Sequence, residues 1–275
     1  MSERLPHPAV RNAAGADHWR RSQRRRYASG AERHDELVVL LGLQGAAEYL
    51  LDGEVVALTP GVLLWALAGQ AHALLSDSAD FDMWVFVVSR VALPPVGGAG
   101  APPFGQGGVE PGPRRLVPAA VAELHATAEG IARLEAPGYR RAGYAYWLAR
   151  AWTLWTAAPA GTGRRLHPAV ERAARALQAD PGLSMGALAR GAGLSAGRLG
   201  QLFRAETGKG VVEMRTETRL ARVDRRMEED ARADLLTAAL DAGFGSYSHF
   251  YRAFRQARAM NPRRYYTSEG AAPAP

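Results

Sequence analysis

The sequence predicts a two-domain α+β protein: an N-terminal β-barrel or sandwich, a helical linker, and an all-α C-terminal part made of two helix-turn-helix units. Three observations carry this. Short apolar or alternating runs, punctuated by turn residues, fill residues 35–88. A stretch rich in Pro and Gly follows at 94–118. From residue 168 onward nearly everything has helical periodicity, and one layout of short helix, turn and second helix occurs twice.

The strand runs are Glu36-Leu-Val-Val-Leu-Leu41, Ala47-Glu-Tyr-Leu-Leu51, Glu54-Val-Val-Ala-Leu58, Val62-Leu-Leu-Trp65 and Met83-Trp-Val-Phe-Val-Val88. Gly45, Asp52-Gly53, Pro60-Gly61 and residues 77–80 separate them. Asp-Gly between two such runs is the strongest short hairpin signal. Many short strands at close spacing argue for an antiparallel sandwich or barrel.

The Pro/Gly segment reads as a linker, and residues 119–134 and 139–157 after it read as helices. In the second, Tyr144, Trp147, Leu148, Ala151, Trp152 and Trp155 form one aromatic face. Such a face packs in a core or against a second subunit. Core packing is the first expectation; because the linker leaves the segment few intramolecular partners, a homodimer seam is the sharper alternative. The resulting boundaries are 1–93, 94–118, 119–166 and 167–275.

In the first C-terminal unit, residues 184–190 form the short helix, Gly191-Ala-Gly193 the turn, and Leu194 the plug. Ser195 caps a second helix with Leu199, Leu202 and Phe203 on one face, and Gly208 ends it. In the second unit, residues 235–242 form the short helix, Gly243 the turn, Phe244 the plug, and Ser246 the cap. Phe250 and Phe254 form the buried pair. Residues 211–229 join the units as one long helix, with Met214, Thr218, Ala221 and Met227 inward. An apolar face that locks the second helix leaves its other face free for a major groove.

Composition sets bounds. With 47% hydrophobic and 22% charged residues the chain is an ordinary globular protein, and without cysteine it has neither disulfides nor thiolate metal sites. Residues 1–26 hold no apolar run before the cluster Arg20, Arg21, Arg24, Arg25 and Arg26, so no secretory signal is read. The apolar stretch 62–75 is broken by Gly69, Gln70 and His72, which excludes a span. A cytoplasmic location away from the membrane is expected. The net charge of +7 is uneven: residues 167–275 carry 17 basic against 12 acidic side chains, residues 1–166 carry 17 against 15. A basic C-terminal part suits a polyanion. One lysine, Lys209, among 34 basic residues also reflects a bias toward arginine codons.

Gly243-Phe-Gly-Ser-Tyr-Ser-His-Phe-Tyr-Arg-Ala-Phe-Arg255, with Asn261-Pro-Arg-Arg-Tyr265, resembles the signature of AraC/XylS-type transcription regulators. Leu188-Ala-Arg-Gly-Ala-Gly-Leu-Ser195, Leu199-Gly-Gln-Leu-Phe-Arg204 and Thr207-Gly208 are similar to the family's first unit. The N-terminal part resembles the family's cupin-like sensor through Asp52-Gly53, Pro60-Gly61, His72 and Asp80-Phe-Asp-Met-Trp84. The resemblance implies a DNA-binding regulator acting on double-stranded DNA under a small-molecule effector, with RNA polymerase as partner if it activates. The family has an aromatic residue and then Gly where this chain has Arg258 and Ala259, so that end is expected to close less tightly.

Arg198, Gln201 and Arg204 of the first recognition helix, and Tyr247, Ser248, Tyr251, Arg252 and Arg255 of the second, are the candidate DNA contacts. Arg takes guanine bidentately and Gln takes adenine, though phosphate claims half or more of such bonds. Gly197 and Gly200 stand outward and read nothing. His249 is expected against the turn. Metal-binding cupins use a tight His-x-His pair, whereas His18, His34 and His72 are isolated here, so no metal or other cofactor is expected. Tyr49, Trp65, His72 and Trp84 are candidate walls of an effector cavity, or plain core aromatics. The competing readings are a cupin-type metal enzyme with a helical appendage, and a regulator that has lost ligand sensing. No phosphate loop or nucleophile motif favours an enzyme.

Overall fold

Asp52 and Gly53 have φ of 44° and 91°, the positive values that a two-residue type I′ turn needs at both centres. They join β3 (Ala47–Leu51) to β4 (Glu54–Leu58), paired from Leu51 opposite Glu54. The computed structural model describes residues 12–21, 35–90, 112–230 and 232–270. It forms two units, one ending at Arg165 and one beginning at Leu166.

The first unit holds two antiparallel sheets. The larger runs β1 (Ala16–Arg20), β7 (Asp82–Val88), β2 (Leu37–Gln44), β5 (Val62–Ala66), β8 (Pro113–Arg115). The smaller runs β6 (His72–Asp77), β3, β4, β9 (Arg164–Arg165). Among the described residues both sheets are open and no barrel closes, which corrects the barrel expectation. The reason lies in the larger sheet. Leu37, Val39, Leu41, Trp65, Trp84 and Phe86 share one core with the helices described next. Val38, Leu40, Leu64, Val85 and Val87, which alternate with them, are buried as well. A sheet covered on both faces reads as unbroken apolar runs, and its core is closed by layers, with no need for strand closure.

Helices α1 (Pro118–Ala132) and α2 (Pro137–Ala157) each start with Pro in the first turn, where its fixed φ suits a helix and its missing N–H costs nothing. The α2 stripe lies in this core, none of its six residues more than 6% exposed. Phe86 and Trp147 stack at 3.6 Å, and Trp65 meets Trp152 edge-on at 5.3 Å. Trp147 Nε1 donates to the Leu124 carbonyl and Trp155 Nε1 to that of Gly112, each at 2.9 Å. Glu123 grips Arg150 at 2.5 and 2.9 Å across the two helices. The stripe is therefore spent within its own unit, not on a homodimer seam. The linker reading falls mostly outside the described residues; its far end pairs as β8 along β5. Residues 62–75, the most membrane-like stretch, run through β5 into β6. Among the described residues no helix is long and apolar enough to cross a membrane.

Among its described residues the second unit is all helix: α3 (Pro168–Ala179), α4 (Met185–Ala192), α5 (Ala196–Thr207), α6 (Val211–Glu229), α7 (Leu235–Asp241), α8 (Tyr247–Arg258) and α9 (Pro262–Gly270). The long α6 carries Val211, Met214, Thr218, Leu220, Val223 and Met227 into the interior.

Candidate nucleic-acid interface

Two pieces of chain build the same object. Ser184 accepts from the Ala187 N–H at the start of α4, and Asp234 from the Thr237 N–H at the start of α7. Gly193 (φ 72°) and Gly243 (φ 94°) then turn the chain in a region closed to most side chains. Leu194 N–H bonds the Ala189 carbonyl at 2.9 Å, and Phe244 N–H that of Ala239 at 3.0 Å. Ser195 caps α5 through the Arg198 N–H, and Ser246 caps α8 through the His249 N–H. Gly208 (φ 71°) and Ala259 (φ 52°) end the two helices left-handed. Every step of the first unit has its counterpart in the second, with Gly245 inserted before the second cap. At Asp234, the Thr237 N–H first and then the Thr237 hydroxyl hold the carboxyl below its ordinary value.

The apolar faces fix what points outward. Leu199 and Phe203 on α5, and Phe250 and Phe254 on α8, are fully buried. Arg198, Gln201 and Arg204 are exposed on α5, and Ser248, Arg252 and Arg255 on α8. Tyr247 and Tyr251 are half-buried, their rings 6.3 Å apart one turn along α8. His249 sets its ring edge-on to Phe244 at 5.4 Å, at the turn. Gly197 has open space where a side chain would begin, and a Cβ at Gly200 would meet only Met185 Cε at 3.6 Å. Neither glycine is demanded by packing.

The frame contains a device the sequence reading missed. Arg215 donates to the Leu183 carbonyl at 2.8 Å, and Arg219 to that of Pro181 at 2.7 Å. Arg222 donates to those of Gln178 and Ala179 at 2.9 and 3.0 Å. One face of α6 thus satisfies carbonyls at the end of α3 and in the loop to α4, groups a helix C-terminus leaves without partners. Burial lowers the Arg219 and Arg222 guanidinium pKa values from the ordinary range. The signal in the sequence was the spacing of 215, 219 and 222, a single helical face.

At the end of α8 the structure corrects the expectation of loose closure. Arg258 reaches back to Asp224 of α6 at 2.8 Å, and the Tyr266 hydroxyl donates to the same carboxylate at 2.6 Å. Both partners of the ion pair are nearly buried, at 11% and 5% side-chain exposure. Burial works against the Arg258 charge, but Asp224 together with Tyr265 and Tyr266 outweighs it and holds the guanidinium above its ordinary value. Burial, with Asp224 second, pushes the Tyr266 hydroxyl far up.

The four candidate effector residues are not gathered on one wall. Trp65 and Trp84 belong to the core beneath α1 and α2, whereas Tyr49 and His72 stack on each other in the smaller sheet at 6.5 Å. Of the isolated histidines, His18 bonds the Ala128 carbonyl at 2.7 Å and the Tyr144 hydroxyl at 3.2 Å. His72 Nδ1 meets the Gln70 carbonyl at 3.2 Å. His34 lies outside the described residues. Trp84 Nε1 donates to His125 Nδ1 at 2.8 Å, a pairing no sequence motif announces.

Residues 188–268 match the family described as "Helix-turn-helix domain". No curated protein matches the chain. Among solved structures, ToxT from Vibrio cholerae is 11% identical over 92% of this chain and 96% of that one, with a TM-score of 0.40. The AraC-like transcriptional activator CuxR is 17% identical over 83% and 78%, with a TM-score of 0.32.

Proposed function

Since the C-terminal unit carries an AraC-type helix-turn-helix domain, we propose that the protein is a sequence-specific DNA-binding transcription regulator whose N-terminal unit answers to a small-molecule effector. The observation that carries the DNA part is the duplicated unit. Two capped helices, α5 and α8, are each locked by a buried pair and present Arg, Gln and Tyr outward, and one unbroken helix, α6, joins them. Two reading helices on one rigid connector suit successive major grooves on one face of a duplex. Domain boundaries at 1–93, 94–118, 119–166 and 167–275 divide the labour in this reading. For the effector, Tyr49 and His72 are the candidate wall residues that lie apart from the core under the helices. A homodimer would have to use a surface other than the α2 stripe, and RNA polymerase is the partner an activator of this kind recruits. Such a protein works in the cytoplasm.

The test is fluorescence anisotropy of the full chain against labelled duplex DNA at low salt. Binding is expected, weakened at least tenfold when Arg252 and Arg255 are both changed to Ala. No binding of the wild-type chain at low salt overturns the function.

A further inference from the structure

The repeat allows the two recognition helices to be compared position by position. Both start at a serine cap, bury an i, i+4 pair and end left-handed, so the alignment is geometric: Ser195 on Ser246, Leu199 on Phe250, Phe203 on Phe254, Gly208 on Ala259. The outward positions then differ in kind. Ala196 and Gly200 of α5 stand where α8 has the ring pair Tyr247 and Tyr251, and Gly197 stands where α8 has Ser248. Gln201 answers to Arg252 and Arg204 to Arg255. Arg198 stands where α8 has His249, the position beside the turn.

The contrast is chemical. Along its first two turns α8 offers two aromatic rings, a hydroxyl and a guanidinium. On α5 the same strip carries only the Ala196 methyl before Gln201. A helix with one methyl there has no hydrogen-bonding group to reach base edges with, but its backbone and flanking arginines still hold phosphates. The Arg204 guanidinium lies over Gly210, close enough that a Cβ there would sit 3.1 Å from Nη2, so this cation is at the rear end of α5.

We propose that the two units divide the work. In this reading α8 reads sequence, with Arg252 on guanine and the Tyr247–Tyr251 pair against an adjacent thymine methyl, and α5 anchors the protein mainly through phosphates. This rests on the DNA-binding reading above and adds to it which helix specifies the site. Arg pairs bidentately with guanine O6 and N7, and apolar groups recognise thymine by its C5-methyl. Tyr247 and Tyr251 together present the apolar surface that such a methyl needs, and Arg252 follows next on the same helix.

The experiment selects preferred duplexes from a random pool with the full chain, comparing wild type with Arg252→Ala, Tyr251→Ala, Tyr251→Phe, Arg198→Ala and Gln201→Ala. Wild type should yield one strongly specified block containing guanine beside thymine. Arg252→Ala should cost roughly ten- to hundredfold on that block and flatten its guanine. Replacing the thymine by deoxyuridine should weaken wild type and Tyr251→Phe, and leave Tyr251→Ala unchanged. Arg198→Ala should weaken all sequences alike. Two equally specified blocks, or a block erased by Gln201→Ala and kept by Arg252→Ala, overturn the division of work while leaving DNA binding standing. No duplex retained at all overturns the DNA-binding reading itself, and this proposal with it.

Discussion

Two single residues carry conformations that their chemistry does not favour, and they err in opposite directions. Ala259 ends α8 at φ 52°, where the Cβ of an L-residue crowds the backbone, at a cost of about 1–2 kcal/mol. Gly208, its counterpart, bears the same turn without a Cβ. Ala259→Gly should therefore stabilise the second unit by about 1 kcal/mol, read as a higher urea midpoint with an unchanged slope. Conversely Gly197 sits inside α5 with open space around its missing side chain. Gly197→Ala should stabilise by a similar amount, about 1 kcal/mol, through helix propensity. Destabilisation by either exchange would show that backbone preference does not govern that position. The serine caps and Gly208 were legible in the sequence because each acts within four residues of itself. The role of Arg258 was not, because its partner Asp224 stands on α6, far off in the chain and invisible to any local pattern.

At the scale of elements, the junction of α8, α6 and α9 depends on a proton. The Tyr266 hydroxyl donates to Asp224 and is pushed well above its ordinary value of 10.0, by burial first. A group whose folded pKa is raised gives its full stabilisation below the unfolded value. Above pH 10 the unfolded chain releases the tyrosine proton while the folded chain keeps it, so stability falls as pH rises, by up to about 1.4 kcal/mol per pH unit. Thermal melts between pH 9 and 11 should show this fall in wild type and a shallower one in Tyr266→Phe; equal slopes would refute it. On the other unit, Trp147 of α2 is fully buried on Phe86. Trp147→Ala should cost about 3–5 kcal/mol and abolish that unit's cooperative unfolding, instead of merely separating subunits. The stripe itself was legible from its spacing, and its partner was not. A helical face states that something covers it, and only the arrangement of β2, β5 and β7 states what. For the same reason the hairpin at Asp52-Gly53 was read correctly, while β1, β6, β8 and β9 and the open edges of the sheets escaped. Those strands are held by pairing with distant segments, as β8 is by β5 and β6 by β3.

Over the whole molecule the excess positive charge is concentrated behind residue 166, with 17 basic against 12 acidic side chains. Much of it is not free to meet a polyanion. Arg215, Arg219 and Arg222 are turned onto carbonyls of their own unit, and Arg258 onto Asp224. The count of basic residues therefore overstates the electrostatic footprint, and the exposed guanidiniums of α5 and α8 define it better. Each phosphate that a protein neutralises adds about −0.9 to the slope of log affinity against log salt. If Arg198 and Arg255 bind phosphates, changing either to Ala should make the slope shallower by about 0.9. Arg252, assigned to a base, should cost affinity on the preferred site while its removal changes the slope little. Charge count alone would predict equal slope changes for all three. Titrating the full chain and the three variants with salt, on the preferred duplex and on an unrelated one, separates these outcomes. A slope change at Arg252 as large as that at Arg255 would return Arg252 to the phosphates and leave α8 without its guanine reader.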